Sequence, residues 1–267
     1  MNYKLLFPTY RNRYLFVQNY LKYISHANPV GHALNLGTGE GDYDPMIAAH
    51  CEQLVSCDIN AQDVDFAKSL NQQVKNLRYR VENALDLSFP DNSFDLIVSV
   101  DVIGDVGQHQ RMLKEVAIVR KPAGRASMPI PWIEFLRTED PVNKSLSLFT
   151  QRKISQGAYA FGHDYLVSKK EFRSWAKKYR LRVVEEEKLS AYLIGLLEMY
   201  WTGIVQRLFK ANATNISKQE QKKISLRPSL KEPFLVKLTD GIIRADQFLF
   251  GRSKFSVGMG FILEKEP

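Results

Sequence analysis

The stretch ALNLGTGEGDYDP, Ala33 to Pro45, sets three glycines within five residues directly behind a short apolar run. An apolar strand, a glycine-rich loop and then Pro45, a residue favoured in the first turn of a helix, read as the opening β-loop-α unit of an α/β fold. Gly37, Gly39 and Gly41 leave backbone N–H groups bare at a helix N-terminus, where a ligand can lie directly against them. The dinucleotide fingerprint G-x-G-x-x-G/A needs a small residue at position 42. Asp42 stands there, a carboxylate where a pyrophosphate would approach. The observed G-x-G-x-G suits a nucleoside that brings no phosphate. Asn35 is a polar residue in the strand just before the loop.

Outward from the loop, LVSCDIN places Asp58 at the end of a second strand, about 20 residues on, where an acid can accept both hydroxyls of a ribose. Capping the next helix is the simpler role for such an acid, although Asn60 could supply that as well. Apolar runs then alternate with helical patterns. HALNL, QLVSCDI, LRYRVEN, FDLIVSVDV and GRASMPI read as strands, and DPMIAAHC, AQDVDFAKSLNQQV and QHQRMLKEVAIV as helices. Upstream, Tyr14, Val17, Leu21 and Ile24 fall at helical spacing. The alternation predicts an α/β fold of βαβ units, with a parallel sheet covered by helices on both faces.

After residue 130 the rhythm breaks, and 131–167 is irregular. Ser168 and Glu171 form a capping box ahead of SKKEFRSWAKKY, and LRVVEEEKL (181–189) and FSVGMGFILEK (255–265) complete the sheet. With no repeat and no long linker, residues 1–267 read as one domain. Its cofactor-binding core is 1–130, 131–188 and 253–267 complete the sheet, and 189–252 is a helical insertion before the last strand, a candidate lid.

Charge is unevenly placed: residues 1–128 carry a net −1 and residues 129–267 a net +9. Such a second half suits an acidic partner, a nucleic acid or an anionic membrane, or simply a solvated surface. No apolar run reaches the roughly 20 residues of a membrane span. The N-terminus, broken by charges and Pro8, makes a poor secretory signal. Cys51 and Cys57 lack metal-site or disulfide-framework spacing, and a reduced, cytoplasmic protein without a metal is expected.

The segments ALNLGTGEGDY, VSCDIN, ENALDLSFPDNSFDLIVSVDVIGDV and LKEVAIVRKPAGRASMPIP stand in the order and spacing of one family. They resemble class I S-adenosylmethionine-dependent methyltransferases, most of all the small-molecule branch with the ubiquinone and menaquinone biosynthesis enzymes. The resemblance covers about residues 10–130 and implies a Rossmann-like, seven-stranded, mostly parallel sheet whose last strand is antiparallel. It implies S-adenosyl-L-methionine as cofactor, with Asn35, Gly37, Gly39 and Gly41 at its methionine portion and Asp58 on the ribose. Ile59 would cover one adenine face, Asn83 and Ala84 meet its edge, Leu85 pack nearby, and Asp101 and Val102 face the sulfonium. Asn35 and Asn83 depart from the acids common at those positions. Loss of charge at Asn35 is expected to weaken cofactor binding, and a cofactor-binding protein without activity is the alternative.

Transfer of a methyl from sulfonium needs chiefly alignment and exclusion of water, with a base where the acceptor loses a proton. His163, Asp101 and His109 are the candidate catalytic residues, with Asp105 beside them. The acceptor expected is a hydrophobic small molecule or lipid-like compound, methylated on oxygen or carbon. A lid of AYLIGLLEMYW and IIRADQFLF would present apolar side chains to it, and the basic flank from Lys210 to Lys231 could touch an anionic membrane. A homodimer would bury the same apolar faces. Nucleic acid is the least expected acceptor, because KQEQKKISLRPSLK has no aromatic interleaved with its cations.

Overall fold

The computed structural model describes residues 2–131, 148–149, 167–197, 210–211, 225–226, 229–253 and 256–265. Its strands are β1 (Val30–Leu36), β2 (Cys51–Asp58), β3 (Leu77–Val81), β4 (Phe94–Val98), β5 (Arg120–Pro131), β6 (Leu181–Leu189), the two-residue β7 (Lys210–Ala211) and β8 (Ser225–Leu226), and β9 (Gly258–Lys265). The helices are α1 (Pro8–Ile24), α2 (Asp44–Ala48), α3 (Ala61–Leu70), α4 (His109–Val119), α5 (Lys169–Lys178) and α6 (Val236–Phe250). Seven strands form the main sheet in the order β3-β2-β1-β4-β5-β9-β6, as the alternation of patterns predicts. Strands β3, β2, β1, β4 and β5 run parallel. The last strand runs antiparallel to both of its neighbours, Phe261 standing opposite Met128 on one side and Glu186 on the other.

Alternation along β1 divides the core. Leu34 and Leu36 face a layer built with Met112, Leu113 and Val116 of α4 and Phe172 of α5. Ala33 faces the other way, to Phe16, Val17 and Leu21 of α1 and Met46 and Ile47 of α2. Both faces of the parallel sheet are thus covered, which is why its central strands read as nearly continuous apolar runs.

Helix α1 begins with Pro8 at its N-terminus, behind a 3-10 turn at Tyr3–Leu6 that the sequence pattern does not reveal. The buried stripe of α1 is Phe16, Val17, Tyr20 and Leu21, with Arg11, Asn12 and Arg13 buried as well; Tyr14 and Ile24 lie at its margins. Helix α5 carries the expected capping box, Ser168 and Glu171 bonding reciprocally. Burial raises both the Cys51 and the Cys57 thiol to about 12, as for ordinary core thiols. Among the described residues no helix is long and apolar enough to cross a membrane.

Candidate active site

Strand order reverses between β1 and β4, and in open α/β sheets a ligand crevice forms beyond the strand ends at that point. The loop after β1 holds Gly37, Gly39 and Gly41 at φ of 78°, 52° and 81°, conformations that cost an L side chain about 1 to 2 kcal/mol. The loop after β4 begins at Asp101, itself left-handed at φ 62° and followed by a 3-10 turn. The two loops touch: a Cβ on Gly37 would lie 2.1 Å from Val102 Cγ2. At Gly41 a Cβ would strike Ala67 at 2.6 Å, but at Gly39 it would meet nothing within 4 Å. Gly39 is therefore the place where bare backbone borders open space.

Asp58 ends β2 beside that space. Its Oδ2 accepts the Gly39 N–H at 2.9 Å and its Oδ1 the Asn60 N–H at 3.0 Å, leaving lone pairs on both oxygens. Asn60, not Asp58, caps α3, its side chain accepting from Gln62 N–H. Ile59 is 69% exposed alongside, and Ala84 and Leu85 are half-buried. The exposed Asn83 accepts the Leu85 N–H at 2.9 Å. Half-buried acceptors, an open stretch of bare backbone and an exposed aliphatic side chain are the donor set and shape that a nucleoside requires, so these residues fit one.

Asn35 holds the loop from beneath. It is 2% exposed, and its Nδ2 donates to Asp44 Oδ1 at 2.7 Å and to Thr38 Oγ1 at 3.2 Å. Asp44, fully buried at the start of α2, also accepts from Thr38 Oγ1, Ser56 Oγ at 2.7 Å and Tyr79 OH at 2.6 Å. Burial pushes its carboxyl above the usual range, outweighing four hydrogen bonds that favour the anion. The acid missing from position 35 has in effect moved nine residues along, to the first turn of α2. The amide belongs at 35 because a carboxylate already faces it.

The N-terminal segment covers the other side of the loop. Lys4 Nζ meets Glu40 at 3.0 Å and Asp42 at 3.1 Å, and Tyr10 OH donates to Asp42. Burial lowers the Lys4 ammonium, but Asp42 and Glu40 together outweigh it and keep its pKa above the ordinary lysine value. Asp42 is thus charge-paired with Lys4 and bonded to Tyr10. Arg13, buried in α1, donates through Nε to Asp101 Oδ1 at 2.8 Å. Arg11 reaches outward to Asp240 at 2.7 Å and Glu232 at 3.0 Å, fixing α1 to α6. The phenol of Tyr43 packs between Tyr10 and Tyr14, its pKa raised first by burial and then by Asp101 and Asp42.

Gly37 thus approaches Val102 beside Asp101, Gly39 is bonded to Asp58, and Asn35 and Gly41 pack under the loop. His109 stands apart. It stacks on Trp175 with ring centroids 5.1 Å apart and lines a hollow of about 460 Å³ with Lys114 and Tyr179, and no residue of the glycine loop lines that hollow. Burial lowers its pKa. His163 lies outside the described residues. Nothing local in the sequence marks Asp44, Lys4 or Tyr43. The polar run Arg11-Asn12-Arg13 inside an amphipathic helix was a usable signal for the N-terminal clamp.

Of the insertion 189–252, residues 189–197, 210–211, 225–226 and 229–252 are described. Phe248 and Leu249 of α6 face solvent, and the inner side of the helix packs on α1 through Val236 and Ile243. Asp246, fully buried there, accepts the N–H groups of Ala191 at 2.5 Å and Leu193 at 2.8 Å at the start of the helical turn 192–197.

Comparison with known proteins agrees with the family resemblance. Residues 34–128 match the family described as "Methyltransferase domain". A "Ubiquinone biosynthesis O-methyltransferase" of Coxiella burnetii is 26% identical over 163 residues, 58% of this chain and 64% of that protein. A "Demethylmenaquinone methyltransferase" of Tropheryma whipplei is 33% identical over 92 residues, 34% of this chain and 38% of the relative. Both matches span less than two thirds of the relatives' own length. The crystal structure of the YcgJ protein of Bacillus subtilis superposes with a TM-score of 0.57 at 16% identity, covering 95% of this chain and all of that one, which establishes the fold.

Proposed function

We propose that this chain, with its methyltransferase domain at residues 34–128, is an S-adenosylmethionine-dependent methyltransferase. Its acceptor is a hydrophobic small molecule or lipid-like compound, methylated on oxygen or carbon. The observation that carries the reading is Asp58 bonded to the Gly39 N–H where the bare backbone borders open space. The two quinone-pathway names among the relatives support a hydrophobic acceptor.

When bound, the cofactor supplies a methyl group on a positively charged sulfur, which a nucleophile of the acceptor displaces. Asp58 would accept from the ribose hydroxyls with the lone pairs left over from Gly39 and Asn60. Ile59 would cover the adenine, with Ala84 and Leu85 beside it and Asn83 at its edge. Gly37 and Gly39 would line the methionine portion, and Asp101 and Val102 the sulfonium end. Arg13 pairs with Asp101 and fixes the position of that carboxylate. Where the acceptor loses a proton, His163 is the base we favour. Asn35 has a structural reason of its own in its bond to Asp44, and a cofactor-binding protein without activity, which Asn83 also motivates, is the alternative.

The insertion 189–252, held to α1 by Arg11, would act as a cover for the site, in a cytoplasmic protein. Isothermal titration with S-adenosylmethionine and its demethylated product tests the reading. Micromolar binding is expected, and transfer of labelled methyl to a lipid-soluble component of a cell extract. Absence of binding up to millimolar cofactor would refute it.

A further inference from the structure

Helix α6 is apolar on two opposite faces. Val236, Ile243 and the buried Thr239 and Asp246 point inward. Phe234, just ahead of the helix, with Leu238, Phe248 and Leu249, forms a second stripe at helical spacing, exposed by 85%, 66%, 89% and 61%. A helix with apolar residues on both sides is normally covered on both.

Charge on α6 says what covers the outer side. Its acids are both committed inward, Asp240 to Arg11 and Asp246 to the backbone at 191–194. Lys237 and Arg244 on the helix, with Lys231 and Arg252 at its ends, are exposed. A second copy of this face would set cation against cation. An anionic lipid surface supplies the missing sign and accepts the four apolar side chains.

We propose that α6 docks the protein on an anionic bilayer, with Phe234, Leu238, Phe248 and Leu249 entering the interface and Lys231, Lys237, Arg244 and Arg252 among the headgroups. The inner side of the same helix holds α1, whose preceding turn reaches the glycine loop through Lys4. Docking would bring the protein to the phase in which a hydrophobic acceptor dissolves. The inference deepens the hydrophobic-acceptor reading and rests on it for its purpose, while the docking itself is measured without it.

The test is flotation of the whole chain with phosphatidylcholine vesicles, with and without phosphatidylglycerol. The protein is expected to float with the anionic vesicles and to be released by salt. Lys237→Gln with Arg244→Gln lowers partitioning roughly 30-fold. Phe248→Ser with Leu249→Ser abolishes flotation, and both variants keep the melting temperature and cofactor affinity of the parent. No flotation of the parent, or equal flotation with neutral vesicles, overturns the proposal. So does a parent dimer in light scattering that Phe248→Ser with Leu249→Ser splits. Flotation without cofactor binding refutes the methyltransferase reading and leaves the docking standing; cofactor binding without flotation does the reverse.

Discussion

Asn35→Asp would set a second carboxylate where the amide now donates to Asp44 across 2.7 Å. Two charges some 4 Å apart at an effective dielectric of 20 repel by about 4 kcal/mol. The lost charge-assisted bond adds about 1.5 to 3 kcal/mol. Sharing one proton across the pair would relieve part of this, so a net loss of about 4 kcal/mol is expected near pH 8. The sign follows from proton linkage. The pair holds a proton in the folded chain that the unfolded chain has released, so its folded pKa lies above the unfolded value. Stability then falls as pH rises through that window, and the deficit shrinks when pH is lowered toward about 5. Asp44→Asn alone, which leaves three hydroxyls and an amide around a weaker acceptor, should cost about 2 kcal/mol. The exchange Asn35→Asp with Asp44→Asn returns one acid and one amide to the pair and should regain about 3 kcal/mol relative to the summed single changes. Urea unfolding of the four proteins at both pH values measures all of this. A pH-independent deficit in Asn35→Asp, or an exchange no better than the sum, would refute the reasoning.

Gly39→Ala meets only backbone strain, about 1 to 2 kcal/mol, yet fills the open space; calorimetry should show a cofactor affinity more than tenfold lower in a protein that still folds. Gly37→Ala drives a methyl into Val102 and should lose most of the soluble folded protein, seen as absent thermal cooperativity. Asp246→Ala strips the buried acceptor from the N–H groups at 191–194, and thermal melts should show a loss of about 2 kcal/mol or more. Because burial holds both thiols at about 12, a chromogenic disulfide reagent near pH 8 should titrate Cys51 and Cys57 only after denaturant is added.

The sheet was legible because its signals are local. Glycine spacing, the apolar runs of β1 and β4 and the capping box at Ser168 each lie within a few residues of what they specify. LRVVEEEKL bounds β6 to the residue. Asp58 was legible for the same reason, since a strand end and a loop fix its place. The charges were not. Asp44 reads as an ordinary first-turn acid until Ser56 and Tyr79 arrive from β2 and β3. Asp42 reads as a free carboxylate until Lys4 closes on it from 38 residues upstream. Which side of the insertion faces the site was not legible for a related reason: apolar composition shows that a helix is covered and leaves its orientation open, and α6 has two apolar sides.

Order of synthesis gives one more consequence to the clamp of α1. Its Arg11 emerges early from the ribosome, but its partners Glu232 and Asp240 follow 221 and 229 residues later. The parallel strands, the glycine loop and Asp58 are all made before them. A nascent chain can therefore form the glycine loop and its bond to Asp58 before α1 is fastened to α6. A chain stopped short of α6 would keep the glycine loop and lack the latch on α1.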